Sequence, residues 1–162
     1  MNLPCEIEYI GEGAEDGYFP GDLDYGEVTD AAENLFSKAK IGIPSYEELH
    51  YACISEDGDV LGAATSGYAG HAEYNDEGIQ VLTARFSVVV SPKGRRQGIA
   101  RELVKRLVQH YEDEAVSLDS YVILEAEVVN PNMARLLKSE GFANEDGFEW
   151  SREDPYMQKT LG

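Results

Sequence analysis

Basic residues are scarce in this 162-residue chain: 13 Lys and Arg stand against 31 Asp and Glu, a formal net charge of −18. An excess of that size repels phosphate backbones and anionic lipid surfaces, so direct nucleic-acid binding and membrane attachment are disfavoured. Cysteine is rarer still. Cys5 and Cys53 are far apart and in no CxxC or Cys/His cluster, which suggests neither a disulfide framework nor a zinc site, and buried thiols are expected. His50, His71 and His110 show no metal-ligand spacing, so no metal is expected. No run approaches the roughly 20 apolar residues that span a bilayer. MNLPCEIEYI also lacks the basic start and apolar run of a secretory leader. The cytoplasm is the expected compartment.

What is present fits one domain over residues 1–162, since 43% hydrophobic and 27% charged residues can build an ordinary core. The charge is unevenly spread. No Lys or Arg precedes Lys38, whereas Glu6, Glu8, Glu12, Glu15, Asp16, Asp22, Asp24, Glu27, Asp30 and Glu33 all do. Lys93, Arg95, Arg96, Arg101, Lys105 and Arg106 form a basic island with Glu102 as its one acid. Such an island in an acidic protein invites an anionic ligand. The acidic excess elsewhere serves solubility or recruits a cationic substrate.

Periodicity predicts a strand over CEIEYI, an irregular Gly- and acid-rich loop over residues 11–27, and a helix from a Thr29 cap through DAAENLFSKAKI. A helical turn is expected near Ser45 to Leu49. LHYACIS and VLGAATSGYAG read as a hairpin turned at Asp57-Gly58, and Asn75 to Gly78 as another turn before the buried strand IQVLTARFSVVV. The loop SPKGRRQG then leads to a helix with Ile99, Leu103, Val104, Leu107, Val108 and Tyr111 on one face. YVILEAEVV supplies a strand, Asn130-Pro131 a helix start and Gly141 its end. The tail GFEWSREDPYMQKTL is read as one or two closing strands. The result is a mixed α/β sheet flanked by helices.

The most informative stretch is VVVSPKGRRQGIARELVKRL, in which a buried strand runs through a tight loop into an amphipathic helix. The first turn of such a helix presents N–H groups and the positive end of its dipole, so phosphates bind there if side chains leave room. Gly98 and Ala100 leave it. Arg95, Arg96 and Arg101 add charge-assisted contacts, and loop N–H groups can converge as a nest, which suits a pyrophosphate. A P-loop ending in Gly-Lys-Ser/Thr and a Rossmann GxGxxG are both absent.

Val90-Ser91-Pro92, followed by Arg95-Arg96-Gln97-Gly98-Ile99-Ala100, resembles the acyl-CoA signature of the GNAT acetyltransferase superfamily. LEAEVVNPNMARLLKSEGF is similar to the family's later strand-loop-helix, with Asn130, Ala134, Leu136, Gly141 and Phe142 at matching positions. The resemblance covers roughly residues 58 to 145. It implies a mixed, mostly antiparallel sheet with acyl-CoA bound after the central strand, and acetyl-CoA as cosubstrate. The implied donor site is Val88, Val89, Val90, Arg95, Arg96, Gln97, Gly98, Ile99, Ala100, Arg101 and Asn130. Pantetheine would pair with Val88 to Val90, and an N–H near Val90 would stabilise the oxyanion. The implied reaction is acetyl transfer to an amine of a small molecule or a protein, with a cationic acceptor such as a polyamine, aminoglycoside or lysine peptide invited by the acidic loop. A homodimer is left open.

An amine acceptor must lose a proton. Strand alternation puts Glu125 and Glu127 on one face, opposite Val122, Leu124, Ala126 and Val128. Glu125 stands where some family members have a catalytic glutamate, and Glu127 is the reserve. Leu137 departs from the family pattern, which often has a thiolate-protonating tyrosine there. Tyr156 is the substitute considered. That departure motivates the alternative of an acyl-CoA-binding protein with little or no turnover. A further alternative is an acidic protein that mimics nucleic acid to occupy a basic partner.

Overall fold

A computed structural model describes residues 3–147 and 149–162. Met1 and Asn2 of the stretch examined for a leader, and Phe148 of the tail read for closing strands, lie outside the described residues. In chain order the elements are β1 (Glu6–Tyr9), α1 (Tyr25–Lys38), β2 (Glu48–Ile54), β3 (Val60–Tyr68), β4 (Glu73–Tyr74), β5 (Gln80–Val90), α2 (Ile99–Ser117), β6 (Tyr121–Glu127), α3 (Pro131–Ser139) and β7 (Tyr156–Leu161), with 3-10 turns at Pro20–Asp22 and Pro92–Gly94. Hydrogen-bonded neighbours run β1-β2-β3-β5-β6-β7, with β4 paired to β5. The β5–β6 pair is parallel, and the β1–β2, β2–β3, β4–β5 and β6–β7 pairs are antiparallel. This is the mixed, mostly antiparallel sheet with helices that the sequence implied.

The chain divides into two compact units, Met1–Ser66 with Val88–Leu103 and Gly67–Ser87 with Val104–Gly162. In the first, Ile10, Phe19, Val28, Ala32, Phe36, Ala52, Ile54, Ala63 and Val89 form the core. Fully burying a side chain such as Phe36 contributes about 1.5–3 kcal/mol. The Asp57-Gly58 turn is where the pattern put it, with Gly58 at φ 88° and its N–H donating to Ser55 O at 3.0 Å.

Three local expectations are corrected in this unit. Asp24, not Thr29, caps α1: its Oδ1 accepts from Glu27 N at 2.8 Å, and Glu27 Oε1 accepts from Asp24 N at 3.2 Å. This reciprocal capping box starts the helix four residues before the predicted cap, and Thr29 bonds inside it to Gly26 O. Residues 45–49 do not form a helical turn that persists, because β2 begins at Glu48 and pairs with Ser66. The cysteines are not thiols: Cys5 and Cys53 form a disulfide with Cα atoms 5.4 Å apart. Antiparallel pairing of Ile7 with Cys53 brings together residues that sequence spacing gave no reason to join.

In the second unit, β6 alternates as read. Val122, Leu124, Ala126 and Val128 are buried, while Glu125 is half-buried and Glu127 exposed. Phe86 and Phe142 meet edge to face at 5.8 Å between ring centres. The Asn75–Gly78 turn forms as expected, with Asn75 Oδ1 accepting from Glu77 N and Ile79 N, each at 2.9 Å. The tail gives one strand, β7, plus an isolated bridge between Ala143 and Gln158.

Candidate active site

The loop between β5 and α2 belongs wholly to the first unit. Ser91 N donates to Leu61 O at 2.8 Å, which anchors the end of β5 against β3. Ser91 then caps the 3-10 turn, its Oγ accepting from Gly94 N at 3.2 Å. A side-chain carbon on Gly94 would lie 2.9 Å from Ile99 Cδ1 and 3.0 Å from Leu61 O, so only glycine lets the loop fold this close to β3. Gln97 Nε2 closes the loop onto Lys93 O at 3.1 Å.

Arg96 and Gly98 both adopt left-handed backbone, at φ 63° and 81°. Reversals of this kind turn loop N–H groups to one side, which is how anion-binding nests form. Gly98 O accepts from Glu102 N at 3.1 Å and so opens α2. The N–H groups that follow are those an α-helix cannot satisfy internally, and a helix of 19 residues adds a fully developed dipole. Arg95, Arg96 and Gly98 are exposed, Gln97, Ala100 and Arg101 half-buried, and Ile99 is buried as the helix anchor. Val89 packs into the core, and Val88 and Val90 on either side are half-buried. Lys93, counted with the basic island, is paired at 2.9 Å with Asp59, whose hydrogen bond and charge raise the Lys93 pKa. Both partners are largely exposed, and the pair adds little stability.

Gly62 was not singled out from the sequence. A side-chain carbon there would lie 2.8 Å from Ile99 Cγ2 and 3.2 Å from Val89 O, so its absence lets the start of α2 settle on β3.

The first unit also holds a hollow of about 500 Å³ lined by Glu12, Glu15, Tyr25, Thr29, Glu33, Glu47 and Glu48, among others. No Lys or Arg occurs in its described lining. Glu47 is 7% exposed, and its Oε1 accepts from Thr65 Oγ1 at 2.8 Å. Beside it, Ser66 Oγ and His50 Nδ1 are 2.8 Å apart, and the His50 ring packs with Tyr9 and Tyr51. Sequence reasoning assigned the acids of residues 12–27 to acceptor recruitment but missed Glu47 and Thr65, which meet only when β2 and β3 pair.

Glu125, Glu127 and Asn130 belong to the second unit. Arg85 Nε donates to Glu125 Oε1 at 2.9 Å, and the Arg85 guanidinium stacks 5.5 Å from the centre of the Tyr156 ring. Tyr156 stands opposite Glu127 in the β6–β7 register. Asn130 Oδ1 accepts from Met133 N at 2.8 Å, making this residue the cap of α3. Leu137 is fully buried. The β5–β6 register runs from Val81↔Tyr121 to Arg85↔Glu125, so Val88 to Val90 follow the last β6-paired residue of β5. Among the described residues, no group of three or more His, Cys, Asp or Glu is placed to hold a metal ion.

The Acetyltransferase (GNAT) family model matches residues 19–142. No curated protein sequence matches the chain significantly. Solved structures with the same fold include a variant of the AtaT toxin bound to the C-terminus of the antitoxin AtaR and acetyl-CoA, at 14% identity and TM-score 0.59, covering 97% of this chain and 93% of that one. The KacTA–DNA complex matches at 18% identity and TM-score 0.59, covering 96% and 92%. AtaT complexed with acetyl-methionyl-tRNA matches at 14% identity and TM-score 0.56, covering 95% and 93%. With a strand, a glycine-bearing loop and a helix in the family's order, and the family model spanning most of its length, the chain belongs to the GNAT acetyltransferase family.

Proposed function

We propose that this acetyltransferase moves the acetyl group of acetyl-CoA to the amine of a small cationic acceptor, such as a polyamine or aminoglycoside, with a basic peptide or protein amine as the second class. The observation that carries the acceptor class is the hollow lined by Glu12, Glu15, Glu33, Glu47 and Glu48. Five carboxylates around one concavity set up a field that concentrates cations. The reading takes residues 1–162 as one acyltransferase domain acting in the cytoplasm.

In this reading the pyrophosphate of acetyl-CoA lies on the N–H groups between Arg95 and Arg101, with the arginines neutralising its charge. Pantetheine pairs with the backbone of Val88 to Val90. The amine attacks the thioester carbonyl, an N–H near Val90 receives the developing oxyanion, and collapse expels CoA thiolate. The resemblance assigns the amine proton to Glu125, whose Oε1 accepts from Arg85 Nε at 2.9 Å. Buried Leu137 cannot donate a proton to the thiolate. Since a thiol with a pKa of about 8.5 is a tolerable leaving group, water can protonate it.

AtaT has been captured with acetyl-methionyl-tRNA and KacTA with DNA. For this chain the formal charge of −18 argues against a nucleic acid as direct partner. Thiol release from acetyl-CoA with a panel of polyamines, aminoglycosides, basic peptides and aminoacyl-tRNA tests the reading. Turnover should be greatest with the polycations. Turnover with aminoacyl-tRNA alone would overturn the acceptor class. Donor binding without turnover on any amine would favour the second reading, an acyl-CoA-binding protein, which buried Leu137 supports.

A further inference from the structure

The Cys5–Cys53 bridge stands two residues from a contact with the donor loop. A side-chain carbon placed on Gly98 would meet, beyond its two chain neighbours and among the described residues, Leu3 Cδ2 at 3.8 Å. Gly98 is the residue whose missing side chain leaves room at the start of α2, and Leu3 lies against that room. Pairing explains how it gets there. Glu6 stands opposite Ile54 at the end of β2, Val60 begins β3 opposite the same residue, and Leu61 O receives Ser91 N at the end of β5. The chain entering β1 therefore arrives at the edge where β5 passes into the phosphate loop.

The bridge reinforces that entry beside the pairing of Glu6 to Tyr9 with β2. β1 has four residues and none is fully buried. Pro4 has no N–H with which to extend the ladder toward Leu3. Short, shallow strands at the edge of a sheet open locally unless tied down, and a covalent tie here is Cys5 to Cys53.

We propose that the Cys5–Cys53 disulfide is a redox latch: oxidised, it holds Leu3 against Gly98 and weakens acyl-CoA binding, and reduction releases the segment and opens the phosphate loop. This rests on the donor-loop reading above. A leucine side chain offers no hydrogen bond to phosphate and occupies space beside the N–H groups, so an anion must displace it or bind less closely. The reductant is a dithiol. One of its thiolates attacks Sγ of Cys5, the partly exposed half, the S–S bond breaks, and Cys53 leaves and takes a proton. The second thiol of the reductant then displaces Cys5, so two electrons pass to the protein, which ends with two thiols, and the reductant ends as a cyclic disulfide. In a reducing cytoplasm a bridge of this kind forms only under oxidation, which is where redox-sensing disulfides are found.

The test is calorimetric titration of acetyl-CoA into the oxidised protein and into protein reduced with dithiothreitol, with free thiols counted in each. Reduction should tighten binding about fivefold or more, the range of ordinary coupling between sites. Leu3→Ala keeps the bridge, and in the oxidised state it should bind as tightly as reduced wild type and show no redox response. Cys5→Ser should match the reduced protein in both conditions. Equal affinity in the two wild-type states, or a Leu3→Ala protein that keeps the full redox response, would overturn the latch and leave the donor site standing. Binding in neither state would overturn the donor-loop reading, and the latch with it.

Discussion

Arg85 Nε donates to Glu125 Oε1 across 2.9 Å, from the last residue of β5 that pairs in register with β6. The pair stands between two roles for Glu125, as a proton acceptor or as one half of a structural ion pair. Replacing the carboxylate with its amide separates them. If Glu125 takes the amine proton, Glu125→Gln lowers kcat by about 10²–10⁴ and leaves the KM for acetyl-CoA unchanged. Steady-state thiol release with a saturating amine reads both constants. Arg85→Gln should lower kcat by less, because the base remains and only its orientation loosens. An unchanged kcat in Glu125→Gln would move the role to Glu127.

Gly98 is held at φ 81°, a conformation in which a side chain costs about 1–2 kcal/mol. Gly98→Ala should therefore lower unfolding free energy by that amount in urea titrations, with donor affinity reduced but measurable. Gly98→Trp should abolish acetyl-CoA binding by calorimetry, because the indole fills the space a pyrophosphate needs. A tryptophan variant that binds normally would place the phosphates elsewhere.

Arg95 and Arg96 are both exposed. Arg95→Ala should raise the KM for acetyl-CoA about tenfold, since a hydrogen bond between charged groups contributes about 1.5–3 kcal/mol. kcat should hold, because the contact is equal in ground and transition states. The effect should shrink as salt rises.

The strand, loop and helix from β5 into α2 were legible because their signals are contiguous: Val90, Ser91, Pro92, Arg95, Gly98 and Ala100 sit within eleven residues. What the sequence hid is non-local. Thr29 was read as the cap of α1, and the reciprocal bond with Glu27 puts the cap at Asp24. Cys5 and Cys53 meet because Ile7 pairs with Cys53, a register that no spacing rule supplies. Two-residue β4 carries too little alternation to announce itself and exists by pairing with Val81 and Gln80. Glu47 reads as a surface glutamate until β3 brings Thr65 to it.

Burial and the nearby charge of Glu114 raise the Tyr68 pKa above its ordinary 10.0, and the Tyr68 ring meets Tyr111 edge to face at 5.6 Å. A raised pKa means that the folded chain keeps the phenol proton after the unfolded chain has lost it. Stability from this residue is therefore complete below pH 10.0 and declines as pH rises beyond it. Chemical denaturation at increasing alkaline pH should show that decline, and Tyr68→Phe should flatten it. A variant with the same alkaline slope as wild type would assign the decline to other groups, Tyr9 first, whose pKa burial also raises.

The acid-lined hollow makes the sharpest claim about the acceptor, because its carboxylates differ in burial. Glu12, Glu33 and Glu48 are exposed, whereas Glu47 is 7% exposed and held by Thr65. Exposed carboxylates attract a cation through water, over a range salt shortens to about 8 Å at physiological ionic strength. A buried carboxylate contacts it with little screening. Glu12→Gln with Glu33→Gln should therefore raise the KM of a polyamine at low salt and lose that effect at high salt, with the acetyl-CoA KM unmoved. Glu47→Gln should raise the acceptor KM by a similar or larger factor at either salt. If both variants respond to salt alike, the hollow acts only as part of the general acidic field. If Glu47→Gln alone resists screening, the acceptor ammonium sits against that carboxylate.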